Sequence, residues 1–93
     1  MRVNVRWTSK ALGDLARLYA FLADVNPSAA ARVLQTITKG AGGLRDNPRL
    51  GIALGGFEPR EVRRIIVSQY ELRYEVTEGA VVVLRLWHMR EDR

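Results

Sequence analysis

Residues 60–88 read REVRRIIVSQYELRYEVTEGAVVVLRLWH, and their periodicity decides the fold class. Val62 to Val67 holds a β-branched run. Leu72, Tyr74 and Val76 then alternate with Arg73 and Glu75, the two-residue period of a strand with one dry face. Glu78-Gly79 is a turn, and Val81 to Trp87 is apolar at every position but Arg85. Three strands joined by connections this short form a meander. The last strand offers apolar side chains to both of its faces, through Val81, Val82, Val83, Leu84, Leu86 and Trp87. One layer of helices covers only one face, so either the sheet curls over the other or a second chain covers it.

Upstream of this stretch the period is helical. Val3, Val5 and Trp7 alternate with Arg2, Asn4 and Arg6 as a first strand, and Thr8 or Ser9 can cap the helix after it. In that helix Ala11, Leu12, Leu15, Leu18, Tyr19 and Leu22 recur at three- and four-residue spacing. Asn26-Pro27 stops it and starts another, with Asn26 as cap and Pro27 in the first turn. The second helix carries Ala30, Val33, Leu34, Ile37, Ala41 and Leu44. A break this short gives an antiparallel helical hairpin. Gly40, Gly42 and Gly43 each cost the second helix roughly 1 kcal/mol relative to Ala, and mark close packing or a frayed last turn. Asp46-Asn47-Pro48 ends it, and Gly51 to Pro59 is a loop. The expectation is one domain over residues 1–93, an α+β fold of order β-α-α-β-β-β, with the hairpin packed on a small, mostly antiparallel twisted sheet.

Composition narrows the class. At 93 residues the chain supports one core, and 27% charged with 47% hydrophobic residues is ordinary for a globular domain. Without cysteine there is no disulfide or thiolate metal site. A charged N-terminus and the lack of a long apolar run argue for a soluble cytoplasmic protein and against a signal peptide or membrane span. The net charge of +5 points to an acidic partner, nucleic acid or protein. Residues 1–59 hold eight Lys or Arg against four acids and residues 60–93 seven against six, so the excess lies upstream of the C-terminal strands.

Glu61, Arg63, Arg64, Arg73, Arg85, His88 and Arg90 all fall in the sheet region. One reading is an active patch, arginines holding phosphate or carboxylate while Glu61 and His88 exchange protons. The other is a solvated face of cross-strand charge pairs. A single histidine rules out a multi-histidine metal site, and no cofactor motif is present. Trp7 and Trp87 read as core residues. The helical hairpin is no DNA reader, because Arg32, Gln35, Thr36 and Lys39 are too few for a recognition helix; sequence-specific DNA binding is not expected.

Across its length the chain resembles the RelE/ParE toxin superfamily. Val5-Arg6-Trp7-Thr8 with Ala11, Asp14-Leu15, Leu18 and Tyr19 is similar to the family's first strand and helix. Asn26-Pro27 with Ala29 to Ala31 is similar to the entry of its second helix, and Leu44, Pro48 and Gly51 to the exit loop. Arg63 to Val67, Tyr70, Leu72 and Tyr74 match the core strands, and Leu84 to Arg90 the last one. Arg64 stands where the family often has glutamate.

The resemblance implies the toxin half of a type II toxin–antitoxin pair, neutralised by an antitoxin tail that covers exposed apolar surface as a docked helix or an added strand. Leu15, Leu18, Tyr19, Leu22, Leu84, Leu86 and Trp87 are the candidates for that contact. Two toxin mechanisms occur in the superfamily. RelE-like members cut mRNA on the ribosome; ParE-like members poison DNA gyrase and block replication, with no catalytic residues expected. No lysine follows Lys39 and no tyrosine follows Tyr74, so a lysine-rich RelE-type cleft cannot be assembled on these strands, and the resemblance favours a ParE-like gyrase inhibitor with a ParD-like antitoxin. Arg63, Arg73, Arg85, His88 and Arg90 are then the candidate toxic surface. In the ribonuclease alternative Glu61, Arg63 and His88 take the catalytic parts; a non-toxic interaction module is the third reading.

Overall fold

The computed structural model describes residues 3–90; Arg2, part of the first alternation, and residues 91–93 lie outside the described residues. The elements are β1 (Asn4–Trp7), α1 (Ser9–Ala23), α2 (Pro27–Gly42) followed by a 3-10 turn (Gly43–Arg45), β2 (Ile52–Ala53), β3 (Glu61–Val67), β4 (Tyr70–Thr77) and β5 (Ala80–His88). They build one five-stranded sheet in the order β1-β5-β4-β3-β2, antiparallel except where β1 runs parallel to β5. The order adds one strand to the expected four. β2 pairs only Ile52 with Arg64 and Ala53 with Arg63, too short to leave a period in a glycine-rich loop.

Local chemistry sets the helix ends. The Thr8 hydroxyl accepts from the Ala11 N–H at 3.0 Å, so Thr8 and not Ser9 is the cap of α1. Asn26 Oδ1 accepts from the Ala29 N–H at 3.1 Å, and Pro27 opens α2 where its missing N–H costs nothing. Both helices lie on one face of the sheet: Ala11 with Leu15 and Leu18 of α1, and Val33, Ile37 and Ala41 of α2, pack with Tyr70, Leu72, Val83 and Leu86. A second cluster joins Leu44, Tyr74 and Val81. Leu12 and Tyr19, expected on the inner stripe, are exposed, because the buried face of α1 centres on Ala11, Asp14, Leu15 and Leu18.

Two glycines are fixed by close approach. A Cβ on Gly51 would lie 2.5 Å from the Arg64 carbonyl oxygen, and one on Gly40 would lie 2.8 Å from both Val67 methyls. Beside Gly51, the buried Tyr74 hydroxyl accepts from the Gly51 N–H at 2.9 Å and donates to the Pro48 carbonyl at 2.8 Å, tying the exit loop to β4.

A bulge in β5 decides what each face of the sheet shows. Arg73 pairs with Arg85, but the next residue of β4, Tyr74, pairs with Val83, so Leu84 is an extra residue. Strict alternation from Val81 and Val83 would send Arg85 toward the helices and Leu86 away from them. The bulge reverses that: Val81, Val83 and Leu86 are all buried in the helix-side core, and Arg85 moves to the outer, helix-free face. The apolar run of β5 is thereby divided between the core and an outer remainder of Val82 and Trp87, which is half-buried.

Candidate functional site

The other side of β5 has an open edge. β1 ends at Trp7, opposite Val83, and past that point β5 has no strand neighbour on that side. Residues from the start of α1 close it. The Thr8 N–H donates to the Val83 carbonyl at 3.0 Å and its hydroxyl to the Leu84 carbonyl at 3.1 Å. Asp14, 4% exposed, accepts the Leu86 N–H at 3.0 Å. The same carboxylate accepts from Arg85 Nε at 2.8 Å and Nη2 at 3.2 Å, and from Arg17 at 3.2 Å. Burial alone would raise the Asp14 pKa. The bonds from Arg85, the Leu86 N–H and Arg17 outweigh it, and the net shift is downward.

On the outer face, Arg64 of β3 stands opposite Arg73 of β4, and Arg73 stands opposite Arg85 of β5. Three arginines therefore form one straight row across three adjacent strands, an arrangement disfavoured by like-charge repulsion. Two devices offset it. Glu71, 2% exposed, lies 3.5 Å from the Arg64 guanidinium and 3.6 Å from that of Arg73. The Arg73 and Arg85 guanidiniums lie over the Trp87 ring, 4.8 and 5.3 Å from its centroid, and Phe57 of the loop sits 5.9 Å from Arg73. Arg73 Nε is the one buried side-chain nitrogen or oxygen among the described residues without a hydrogen-bond partner. Trp87, expected as a core residue, is instead a platform for arginines; Trp7 does pack on the core.

His88 and Arg90 lie elsewhere, at the far end of β5, on the rim of a groove of about 600 Å³ between that end and α1. Leu18, Phe21, Leu22 and Tyr70 form its apolar walls, and Arg17 adds a second cation. The imidazole meets the Tyr70 ring edge-on at 5.3 Å. Its Nδ1 accepts the Arg90 N–H at 3.0 Å and its Nε2 faces Gln69 Oε1 at 3.2 Å, which assigns the proton to Nε2 and occupies both nitrogens.

Glu61 and Arg63 form a third group. The Glu61 carboxylate accepts from Arg63 Nε at 2.8 Å and from both Nε and Nη2 of Arg49 at 2.9 Å. These bonds, from Arg49 first and then Arg63, hold its pKa below the usual carboxylate range. Arg63 also donates to the Gly51 carbonyl at 2.7 Å, a loop-fixing contact. In register, Glu61 lines up through Val76 with Val81, whereas His88 lines up through Tyr70 with Val67. Six residue steps along the strands separate the two, roughly 20 Å. The residues proposed from sequence thus divide into three places: Arg73 and Arg85 on the outer face, His88 and Arg90 at the groove, Glu61 and Arg63 at the loop.

Of the candidates for antitoxin contact, Leu18 and Leu22 line the groove and Tyr19 is exposed. Leu15 packs against the core, and Leu84 and Trp87 are half-buried. Leu86 is 1% exposed and sealed in the core by the bulge, so a partner cannot reach it, and it leaves the set. The sequence reading missed Asp14, Glu71 and Phe57 as parts of these sites. Asp14 carried a signal, since a carboxylate three residues from both Ala11 and Arg17 falls on the apolar stripe; Glu71 and Phe57 carried none.

Comparison with known proteins gives a consistent result. The family model described as the ParE toxin of type II toxin-antitoxin system, parDE, matches residues 5–93. Toxin RelE2 of Caulobacter vibrioides is 32% identical over 85 residues, covering 91% of this chain and 93% of that protein. Among solved structures, one from the chromosomal ParDE system of P. aeruginosa superposes with a TM-score of 0.76 at 21% identity, over 94% of this chain and 96% of the other. One from the RelBE2 toxin–antitoxin complex of Mycobacterium tuberculosis gives 0.66 at 28% identity, over 95% and 99%.

Proposed function

The chain belongs to the ParE toxin family of type II toxin–antitoxin systems, and from that premise we propose that it acts in the cytoplasm as a non-catalytic inhibitor of DNA gyrase that blocks replication. The observation that carries this reading is the separation of Glu61 from His88 by roughly 20 Å, and of Arg63 from His88 by roughly 13 Å, along the strands. Acid–base cleavage of a ribose–phosphate linkage needs its groups within hydrogen-bond reach of one phosphate. Here Glu61 is held by two arginines and His88 has both ring nitrogens engaged. A protein that works by binding needs no such assembly.

The partner that silences it is a ParD-like antitoxin, and its seat is the groove between α1 and the end of β5. Leu18, Phe21 and Leu22 supply apolar wall, with Arg17 and Arg90 as cations at the rim, a fit for an amphipathic segment bearing acidic residues. Phe21 is 74% exposed and Val25 87%, unusual for side chains of that size without a partner.

Ribosome-dependent mRNA cleavage is the second reading, favoured by the names of the relatives at 32% and 28% identity, RelE2 and RelBE2. Induced expression of the chain alone separates the two. Arrest with a DNA-damage response, intact transcripts and blocked supercoiling by purified gyrase is expected, with transcripts as intact for the wild type as for His88→Ala. Cut transcripts with silent DNA repair, abolished by His88→Ala, would overturn the gyrase reading. No arrest at all would leave an interaction module.

A further inference from the structure

We propose that the row Arg64–Arg73–Arg85 is a contact surface for the phosphate backbone of duplex DNA, so that this chain touches the DNA held by its target as well as the target protein. The proposal extends the gyrase reading, which supplies the setting, but the contact is a property of the isolated chain. By sequence the C-terminal third is nearly neutral, seven basic residues against six acids. Folding sorts those charges. Glu61 is turned to the loop with Arg49 and Arg63, Glu75 is paired with Arg60 at 2.9 Å, and Glu71 is buried beside the row. The surface between β3 and β5 is lined by guanidinium: the Arg64, Arg73 and Arg85 side chains are 38, 30 and 36% exposed, and Arg85, held by Asp14 at 2.8 Å, closes the row while Arg64 and Arg73 share Glu71.

Geometry favours a polyanion over a single carboxylate. Neighbouring strands are about 4.8 Å apart, so the row runs about 10 Å. Phosphates of one DNA strand rise about 3.4 Å per step along the axis while winding around it, so neighbours lie roughly twice that far apart and the row faces about two of them. Glu71 divides one carboxylate between two guanidiniums at 3.5 and 3.6 Å, longer than the 2.8–2.9 Å pairs that Glu61, Glu75 and Asp14 make with their arginines. Stacking on Trp87 and Phe57 fixes Arg73 in place, so a contact here costs little side-chain entropy. Repulsion in the row is relieved when phosphates arrive. Such a contact reads no base sequence.

The test is fluorescence anisotropy of a labelled 20-base-pair duplex titrated with the whole chain at 50 and 200 mM salt. Two neutralised phosphates, at Arg64 and Arg73, give a salt slope of about −1.8, so affinity should fall about twelvefold over that range. Arg64→Gln should bind more weakly and lose only about 3.5-fold, the slope for one phosphate. Arg64→Lys, which keeps the charge, should retain the wild-type slope, and so should Arg32→Gln on the exposed side of α2. Thermal melts of each variant establish that it is folded. The proposal is overturned by absence of binding at 50 mM salt, by equal slope changes in Arg64→Gln and Arg32→Gln (diffuse net charge), or by poly-glutamate displacing DNA at equal charge concentration (an acidic protein partner). Gyrase supercoiling measured in parallel keeps the two readings apart. Inhibition without duplex binding refutes the row alone, and duplex binding without inhibition supports the row while refuting the gyrase target.

Discussion

Replacing Asp14 by Ala should cost the fold about 3 kcal/mol, although the residue lies in no expected active patch. The change removes the acceptor of the Leu86 N–H, 3.0 Å away on the strand edge that β1 leaves uncovered. An unsatisfied buried donor costs about 1–3 kcal/mol. Loss of the two Arg85 bonds, at 2.8 and 3.2 Å, adds about 0.5–1 kcal/mol, discounted because that side chain is 36% exposed and re-solvates. In a domain of this length each kcal/mol lowers Tm by roughly 4–8 °C, so the melt should shift by roughly 12–24 °C. Urea denaturation with m unchanged is the deciding assay. The contribution also carries a pH signature. The folded pKa lies below the ordinary 3.8, so the stabilisation is complete above the unfolded value and is lost as pH falls through the folded one. The gap between wild type and Asp14→Ala should therefore narrow only in acid below about pH 4. A loss under 1 kcal/mol at pH 7 would refute the reasoning and mean that water reaches the β5 edge.

Three alanine substitutions should rank by the space each glycine has. Gly51→Ala meets the Arg64 carbonyl and should cost about 3 kcal/mol; Gly40→Ala meets both methyls of the stiff, β-branched Val67 and should cost about 1–2 kcal/mol after the gain in helix propensity; Gly42→Ala meets nothing and should gain about 0.5–1 kcal/mol, all read by denaturant midpoints. Tyr74→Phe removes a buried donor and acceptor at once and should cost about 2 kcal/mol, seen as increased exchange of the Gly51 amide by NMR. In the wild type, burial raises the Tyr74 pKa, so its phenolate absorbance should appear above the ordinary value of 10.0, later than that of exposed tyrosine. Phe21→Ser should weaken antitoxin binding at least tenfold while changing stability by under 1 kcal/mol, because the ring is 74% exposed in the free chain; equal affinity by calorimetry would remove the groove as the antitoxin seat.

The residues by themselves determined the element order and the fold class. A period near 3.6 over residues 11–22 and 30–44, the Asn26-Pro27 restart, and a period of two from Val62 onward are local properties, set by backbone geometry and capping chemistry, and they survive any packing. Asp46-Asn47-Pro48 marked the end of the second helix and the glycines after it the loop, though why glycine stands at 51 became visible only with the Arg64 carbonyl beside it. The short β2 escaped because two residues carry no period. Which charges meet was decided by tertiary structure alone. One extra residue at Leu84 inverts the alternation of β5, burying Leu86 and delivering Arg85 to the face where register has already placed Arg64 and Arg73. The same register holds Glu61 and His88 at opposite ends of the sheet. The chain carries these side chains within thirty residues of one another; strand pairing, which acts between residues distant in the chain, sets whether they share a surface.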